Sequence, residues 1–141
     1  MKLTLLITLC FVSTSFALEL FGRDQSCAVR GKLVCDSKPA VGVKVKLWDE
    51  DDTDSDDLLD ESRTDSNGEF HLAGWTKEYT PIDPKLNIYH DCNDMLPCQR
   101  KFTIKIENKY ISDGKNPRSV YDAGVIQLAG VYPGESRDCI N

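Results

Sequence analysis

The stretch Val41-Gly42-Val43-Lys44-Val45-Lys46-Leu47-Trp48 decides the fold, because apolar side chains occupy every second position from Val41 to Leu47. This period of two is typical of a strand with one face in the core, since successive side chains of a strand point to opposite faces. Trp48 falls on the polar face, where we expect it to cover a sheet edge. The stretch therefore predicts β structure.

The same period recurs outward from this stretch, in runs separated by turn signals. The clearest turn is Asn67-Gly68, since both residues tolerate the positive φ that a tight hairpin needs. A helical turn is expected only near Thr76 to Tyr79, and the tail 132–139 is expected to be irregular. Strands are predicted at 28–35, 41–48, 58–63, 69–75, 86–90, 102–106 and 121–128. The pattern predicts an all-β antiparallel sandwich or open barrel of about seven strands.

The first residues predict export. Lys2 precedes the apolar run Leu3 to Val12, and small residues at Ser15 and Ala17 suit signal peptidase. The run is too short for a membrane anchor, which needs about 20 apolar residues. We therefore expect residues 1–17 to be a signal peptide. Residues 18–141 would form one secreted, extracellular domain without a membrane span.

Charge narrows the range of partners. Lys2 is the only charged residue of 1–17, so its loss leaves 16 basic against 23 acidic residues and a net charge of −7. Such a chain is repelled by phosphate backbones, which argues against nucleic acid as a partner. An anionic membrane would be a poor partner unless a cation bridged the two surfaces.

An acidic loop is the first candidate site, because seven of the nine residues from Asp49 to Asp57 are acidic. Asp52-x-Asp54-x-Asp56 resembles the start of an EF-hand loop, but Arg63 stands where that loop needs its final Glu. A solvated loop is the simplest interpretation, and a looser Ca²⁺ site is the alternative. The candidate cation or partner surface comprises Asp51, Asp52, Asp54, Asp56 and Asp57.

A run of basic residues near the strand at 102–106 is the second candidate. A basic strand face can contact lipid phosphates or carboxylates. Its alternative is an ordinary solvent face that protects a sheet edge with lysines. The candidate anionic-lipid surface comprises Arg100, Lys101, Lys105 and Lys109.

The sequence carries no recognisable catalytic motif. His71 and His90 lie on separate predicted strands, and neither belongs to a His-x-His or His-Glu-x-x-His pattern. There is no Gly-x-Ser-x-Gly elbow. We therefore expect a protein that is not an enzyme, with no assigned metal and no cofactor unless Ca²⁺ binds the acidic loop.

Cysteines are expected to pair in the oxidising compartment that an exported chain reaches. The easier predicted pair is Cys92 with Cys98, which would close a compact loop. Cys35 with Cys139 would then tie the tail to the first strand, although spacing alone does not fix the connectivity.

Cys27 is left over by this assignment. It follows the segment 18–26, which we expect to be mobile and exposed. An accessible thiol there predicts a homodimer, or a mixed disulfide with a small thiol. Pairing of Cys27 inside the domain is the alternative.

Segments spread along the mature chain resemble the transthyretin-like proteins that nematodes secrete. They are Lys38-Pro39-Ala40, Val43 to Asp49, Asp57 to Asp60, Thr64 to Phe70, Tyr89 to Cys92, Cys98 to Lys101 and Pro133 to Cys139. The resemblance implies a transthyretin-type sandwich. The four cysteines usual in that family match Cys35, Cys92, Cys98 and Cys139, and Cys27 departs from the pattern.

The resemblance itself implies little about activity. Because the sequence also lacks a catalytic motif, we expect a non-enzymatic extracellular binding protein with an unidentified ligand. One alternative that the resemblance suggests is an adaptor that bridges phosphatidylserine on cell surfaces to a receptor. Another, by analogy with the fold alone, is a carrier of a small apolar ligand. Hydroxyisourate hydrolases share the wider fold, but they end in Tyr-Arg-Gly-Ser, whereas this chain ends at Arg137-Asp138-Cys139-Ile140-Asn141.

Overall fold

The computed structural model describes residues 21–53 and 55–141. The predicted signal peptide lies outside these residues, as does Asp54. The strands are Arg23–Cys35 (β1), Lys38–Pro39 (β2), Lys44–Asp49 (β3), Asp57–Arg63 (β4), Glu69–Glu78 (β5), Pro84–His90 (β6), Gln99–Lys105 (β7), Ser112–Asp113 (β8), Tyr121–Gln127 (β9) and Ser136–Asp138 (β10). Asn108–Tyr110 forms a 3-10 turn. Within the described residues, no helix has the length and apolar character needed to cross a bilayer.

The strands form two sheets that enclose one core. In the first sheet the long strand β1 pairs antiparallel with β2, β5 and β8, and parallel with β9. The second sheet runs β10-β7-β6-β3-β4 with every pair antiparallel. The predicted all-β sandwich is confirmed, and the seven longer strands match the seven predicted runs. Two separate sheets form in place of a barrel.

Three segments differ from the sequence-based expectation. Thr76 to Glu78 is strand, because its backbone pairs with Arg23 to Gln25 of β1. That same pairing orders Arg23 to Ser26, which belong to the segment we expected to be mobile. The tail is also partly regular, since β10 pairs with β7. In each case a distant partner strand satisfies the backbone polar groups, and local sequence does not signal such a partner.

The alternation of β3 places two of its apolar side chains in the core. Val45 and Leu47 are fully buried and lie opposite Ile88 and Leu86 of β6. Lys44, Lys46 and Trp48 turn away from the core and remain partly exposed. Because Asp49 has the same parity as Leu47, its side chain also enters the interior and is only 1% exposed.

The two sheets approach each other where β4 meets β5. A Cβ atom on Gly74 would lie 2.2 Å from the carbonyl oxygen of Leu59, so only glycine allows this approach. The Asp60 carboxylate accepts the Ala73 N–H at 3.0 Å in the same region. This contact places the end of β5 beside the β3–β4 loop.

Candidate binding sites

The outer face of the second sheet gathers lysines from three strands. The register aligns Lys44 with Tyr89 and Lys101, and it aligns Trp48 with Lys85 and Lys105. We call this surface the lysine face. It comprises Lys44, Lys46, Lys85, Lys101 and Lys105 around the rings of Trp48 and Tyr89.

Aromatic rings hold two of these ammonium groups. Lys46 Nζ lies 5.7 Å from the ring centroid of Trp48 and 5.5 Å from that of Tyr89. Lys101 Nζ lies 5.6 Å from the Tyr89 centroid. These distances allow cation–π attraction, which fixes the position of a charge without neutralising it.

Most lysines of the face already have acidic neighbours. Lys46 differs, because it makes no ion pair within the part of the chain that the structure describes. Lys105 is exposed and can exchange its carboxylate for another anion. Lys44, Lys85 and Lys101 are more buried than Lys105 and are held against theirs. The pairs are Lys44–Glu61 at 3.7 Å, Lys85–Asp56 at 2.8 Å, Lys85–Glu50 at 3.8 Å, Lys101–Asp138 at 3.7 Å and Lys105–Glu50 at 3.7 Å.

The predicted anionic-lipid surface is only partly assembled. Lys101 and Lys105 lie on the lysine face, whereas Lys109 lies on the 3-10 turn beside Glu107. Including Arg100 in that surface was wrong, because strand alternation turns it inward and leaves it 9% exposed. Sequence reasoning missed Lys44, Lys46 and Lys85, since they join the face only through strand register.

Arg100 instead binds the C-terminal tail. Its guanidinium forms a bidentate pair with Glu135 and donates to the carbonyl oxygens of Cys92 at 2.9 Å and Gly130 at 2.6 Å. The pair holds the pKa of the Glu135 carboxyl below its ordinary value. This is a structural role, because the guanidinium makes four hydrogen bonds to protein groups.

Four carboxylates converge at one end of the sandwich. Asp49, Asp51, Asp57 and Glu78 each offer an oxygen, and these oxygens lie within 4.8 Å of one another. We call this group the acidic cluster. Asp49 Oδ1 accepts the Asp83 N–H at 2.8 Å, whereas its buried Oδ2 has no hydrogen-bond partner.

The cluster shifts the titration of its own members. Burial raises the pKa of Asp49 to about 6, and the negative charges of Asp51 and Asp57 add to the shift. The pKa of Glu78 rises to about 7, first through burial and then through a hydrogen bond with Asp57. Such shifts are expected where burial and neighbouring negative charges both disfavour the ionised form.

The predicted cation surface divides into separate groups. Asp51 and Asp57 belong to the acidic cluster, but Asp56 turns to Lys85, which lowers the pKa of its carboxyl. Asp52 is exposed and lies outside the cluster, and Asp54 is beyond the described residues. Sequence reasoning missed Asp49 and Glu78. The inward parity of Asp49 was the available signal, while Glu78 comes from another sheet.

The disulfides use the four predicted cysteines in a different pairing. Cys35 bonds Cys92 and joins the two sheets, while Cys98 bonds Cys139. The predicted pairs Cys92–Cys98 and Cys35–Cys139 were therefore wrong. The physical reason is the register of β7 and β10, which opposes Gln99 to Asp138 and so brings the neighbouring cysteines together.

Cys27 is the free cysteine of the described chain. Its side chain is fully buried in β1, and burial raises the pKa of the thiol to about 11. The expectation of an accessible thiol was therefore wrong, and the structure gives no support to a dimer linked through it. The alternation of β1 points this residue into the core beside Val29.

The two histidines lie apart, as their positions in the sequence suggest. His71 is exposed on the first sheet, and His90 is buried in the second.

His71 lines an open cavity of about 720 Å³. Half of its lining residues are charged, including Arg30, Lys32, Asp65, Glu69 and Asp122.

Comparisons with known proteins give a consistent result. A model of the transthyretin-like family matches residues 30–107. The chain is similar to transthyretin-like protein 5 of Caenorhabditis elegans, with 60% identity over 97% of this chain and 99% of that protein. It is also similar to transthyretin-like protein 2 of C. elegans, with 48% identity over 96% and 97% of the two chains. A third relative, transthyretin-like protein 33 of C. elegans, is 46% identical over 94% and 97%.

Proposed function

Because the chain belongs to the transthyretin-like family, we propose that it is a secreted, non-enzymatic binding protein whose lysine face takes an anionic headgroup. The proposed ligand is phosphatidylserine on a cell surface. An adaptor would add a receptor at a second surface, and it would depend on the same lipid contact.

One observation carries the proposal. Lys46 keeps an unpaired charge between two aromatic rings, although the protein as a whole is strongly acidic. A partly buried lysine held in this way is preorganised for an anion, because little side-chain freedom is lost on binding. The neighbouring Lys101 shares the Tyr89 ring and pairs with Asp138 at 3.7 Å, so a headgroup that binds Lys101 would replace that carboxylate.

Secretion and the absence of catalysis are parts of the same proposal. The signal peptide at 1–17 and the mature domain at 18–141 fit a protein with two disulfides, which persist in oxidising compartments. The histidines on different sheets offer no shared acid–base site for catalysis.

A carrier of a small apolar ligand has less support. Such ligands favour concave, mostly apolar pockets. The 720 Å³ cavity instead has a wall rich in charge, with Arg30 and Asp122 paired at 3.4 Å. An apolar ligand there would have to remove water from those charged groups, which is costly.

Vesicle flotation tests the lipid contact. Mature protein is mixed with phosphatidylcholine vesicles with or without phosphatidylserine. EDTA is present so that no cation bridges the acidic surfaces and any binding must come from the lysine face, against the repulsion expected from the net charge. We expect binding only to the anionic vesicles, and the double variant Lys46→Gln/Lys101→Gln should bind about thirty-fold more weakly. Each lysine near an anionic surface contributes about 1 kcal/mol, so two give that factor.

The matched control is Lys32→Gln/Lys38→Gln, which makes the same charge change on the first sheet. It should bind as the wild type does. Equal weakening by both double variants would show attraction by overall charge alone, and equal binding to both kinds of vesicle would reject the headgroup contact.

A further inference from the structure

We infer that the acidic cluster is a Ca²⁺ site, separate from the lysine face and independent of the function proposed for it. Asp49, Asp51, Asp57 and Glu78 would supply the protein carboxylates. Backbone oxygens or water would complete the coordination, because Ca²⁺ takes six to eight oxygen ligands.

Three elements bring these ligands together. Asp49 ends β3 and lies opposite Asp57 at the start of β4, so strand pairing fixes the distance between them. Glu78 arrives at the end of β5, whose own pairing with Arg23 anchors it in the first sheet. The site therefore joins the two sheets at one end of the sandwich, and rigid strands supply three of its four ligands.

Asp49 gives an independent indication of a ligand. Its side chain is 1% exposed, and Oδ2 is buried without a hydrogen-bond partner. A buried carboxylate oxygen left unpaired is costly, and native structures rarely keep one without a partner or an ion. Because Asp49 offers an oxygen within 4.8 Å of three other carboxylates, a cation there would satisfy it.

The spacing and the atom types favour calcium. Two oxygens on opposite sides of Ca²⁺ lie about 5 Å apart, since each bond measures about 2.4 Å. The 4.8 Å limit of the cluster meets this requirement with little movement. Zn²⁺ favours cysteine and histidine, which the cluster lacks. Mg²⁺ demands a tighter octahedron and gives up its water reluctantly.

The contrast with the rest of the acidic loop supports this assignment. Glu50 and Asp56 have Lys85 as their counter-charge. No lysine or arginine ion pair joins Asp49, Asp57 or Glu78 within the described residues. The acids of this region therefore fall into two sets. Glu50 and Asp56 pair with a lysine of the lysine face, whereas the members of the acidic cluster converge on one point.

A competing explanation is a proton shared between Glu78 and the nearby Asp57, which helps to raise the pKa of Glu78. A shared proton relieves charge repulsion without a metal. It predicts no heat on addition of Ca²⁺ and no change in melting temperature. The two explanations therefore differ in a direct measurement.

Calorimetric titration of the mature protein with CaCl₂ is the first test. We expect one site with a dissociation constant of about 10⁻⁴ to 10⁻³ M, the range of extracellular calcium modules. MgCl₂ should give little heat over the same range. Melting temperature should rise with Ca²⁺ and return to its starting value in EDTA, because the ion binds the folded state.

The variant Asp57→Asn separates a ligand from a merely structural residue. It should raise the melting temperature in EDTA, since it relieves repulsion, yet weaken Ca²⁺ binding at least about tenfold. Asp52→Asn makes the same charge change in the same loop outside the cluster, and it should leave binding unchanged. Asp49→Asn should weaken binding while keeping the acceptor for the Asp83 N–H.

Absence of heat and of a melting shift up to about 10 mM Ca²⁺ would overturn the inference, because extracellular sites saturate by then. Equal weakening by Asp52→Asn and Asp57→Asn would overturn it too, as that result indicates a diffuse counter-ion effect. Vesicle binding in EDTA is expected to survive in Asp57→Asn, so failure of one proposal leaves the other intact.

Discussion

The burial of one residue, His90, makes the stability of the folded protein depend on pH. It is 2% exposed, its Nδ1 accepts the Cys92 N–H at 3.1 Å, and its ring meets Phe102 edge-on. Burial lowers the pKa of this imidazole, and the nearby Arg100 lowers it further. Acids that oppose the shift are Glu135, Asp91 and Asp94.

The variant His90→Asn should remove part of the acid sensitivity. Below the ordinary histidine pKa of 6.5 the unfolded chain takes a proton that folded His90 resists, so stability falls as pH falls. The limiting slope is about 1.4 kcal/mol per pH unit. Asparagine keeps an acceptor for the Cys92 N–H and does not titrate. Urea unfolding between pH 7 and 5 should therefore show a flatter profile in the variant.

The pH profile of the variant must be compared with that of the wild type, because other groups change the stability in the opposite direction as pH falls. The raised pKa values of Asp49, about 6, and Glu78, about 7, make the folded state gain stability as pH falls through them. Those contributions are common to wild type and variant and cancel. The exposed His71, changed to Asn, is the matched control, and a profile flattened as much in that variant would contradict the assignment to His90.

Whether the burial of a single residue could be predicted depended on its place in the two-residue alternation of a strand. The alternation that buries Val45 and Leu47 also buries Asp49, so the inward position of Asp49 could be predicted from β3. The same rule separates Arg100 from Lys101, although charge alone grouped them. The burial of Cys27 required the true start of β1 at Arg23, which local sequence does not mark.

Strands longer than about five residues were predictable, since a period of two needs several repeats to show. The short strands β2, β8 and β10 were not, because each contains only two or three residues and exists through its partner. The lysine face likewise depends on the register of β3, β6 and β7. Register is a property of paired strands, so no single strand encodes it.

Gly74 controls the approach of β4 to β5. A methyl group there would lie 2.2 Å from the Leu59 carbonyl oxygen, which is backbone and cannot swing away. We expect Gly74→Ala to lower the free energy of unfolding by about 1–3 kcal/mol through overpacking. Chemical denaturation monitored by tryptophan fluorescence measures the loss.

Gly130→Ala is the control for this substitution. A Cβ atom at Gly130 meets nothing within 4 Å, so the change should stay within about 0.5 kcal/mol of the wild type. Similar stabilities for the two variants would mean that β4 moves aside at no cost. Since Glu78 ends the same strand, a forced shift in Gly74→Ala should also weaken Ca²⁺ binding.

On the scale of the whole molecule, the disulfides and the Arg100–Glu135 pair hold the same end of the sandwich. Cys35–Cys92 crosses between the sheets, and Cys98–Cys139 fixes the tail beside β7. The acidic cluster holds carboxylates from both sheets in one place. The family resemblance predicted which four cysteines pair but not their partners, because connectivity follows from how strands meet in space.

Thiol counting on double variants of the mature chain tests this connectivity. The loops closed by Cys35–Cys92 and Cys98–Cys139 span 57 and 41 residues, so the chain-entropy model assigns each about 4 kcal/mol of stabilisation. Replacing either bonded pair by serine should cost about that amount. After denaturation each such variant should show a single reactive thiol, Cys27.

The crossed variant Cys92→Ser/Cys98→Ser should instead lose both disulfides. It should expose the thiols of Cys35 and Cys139 as well, and it should be the least stable. Should it behave like a single-disulfide variant, with Cys27 alone reactive, the local Cys92–Cys98 loop would be the true pairing.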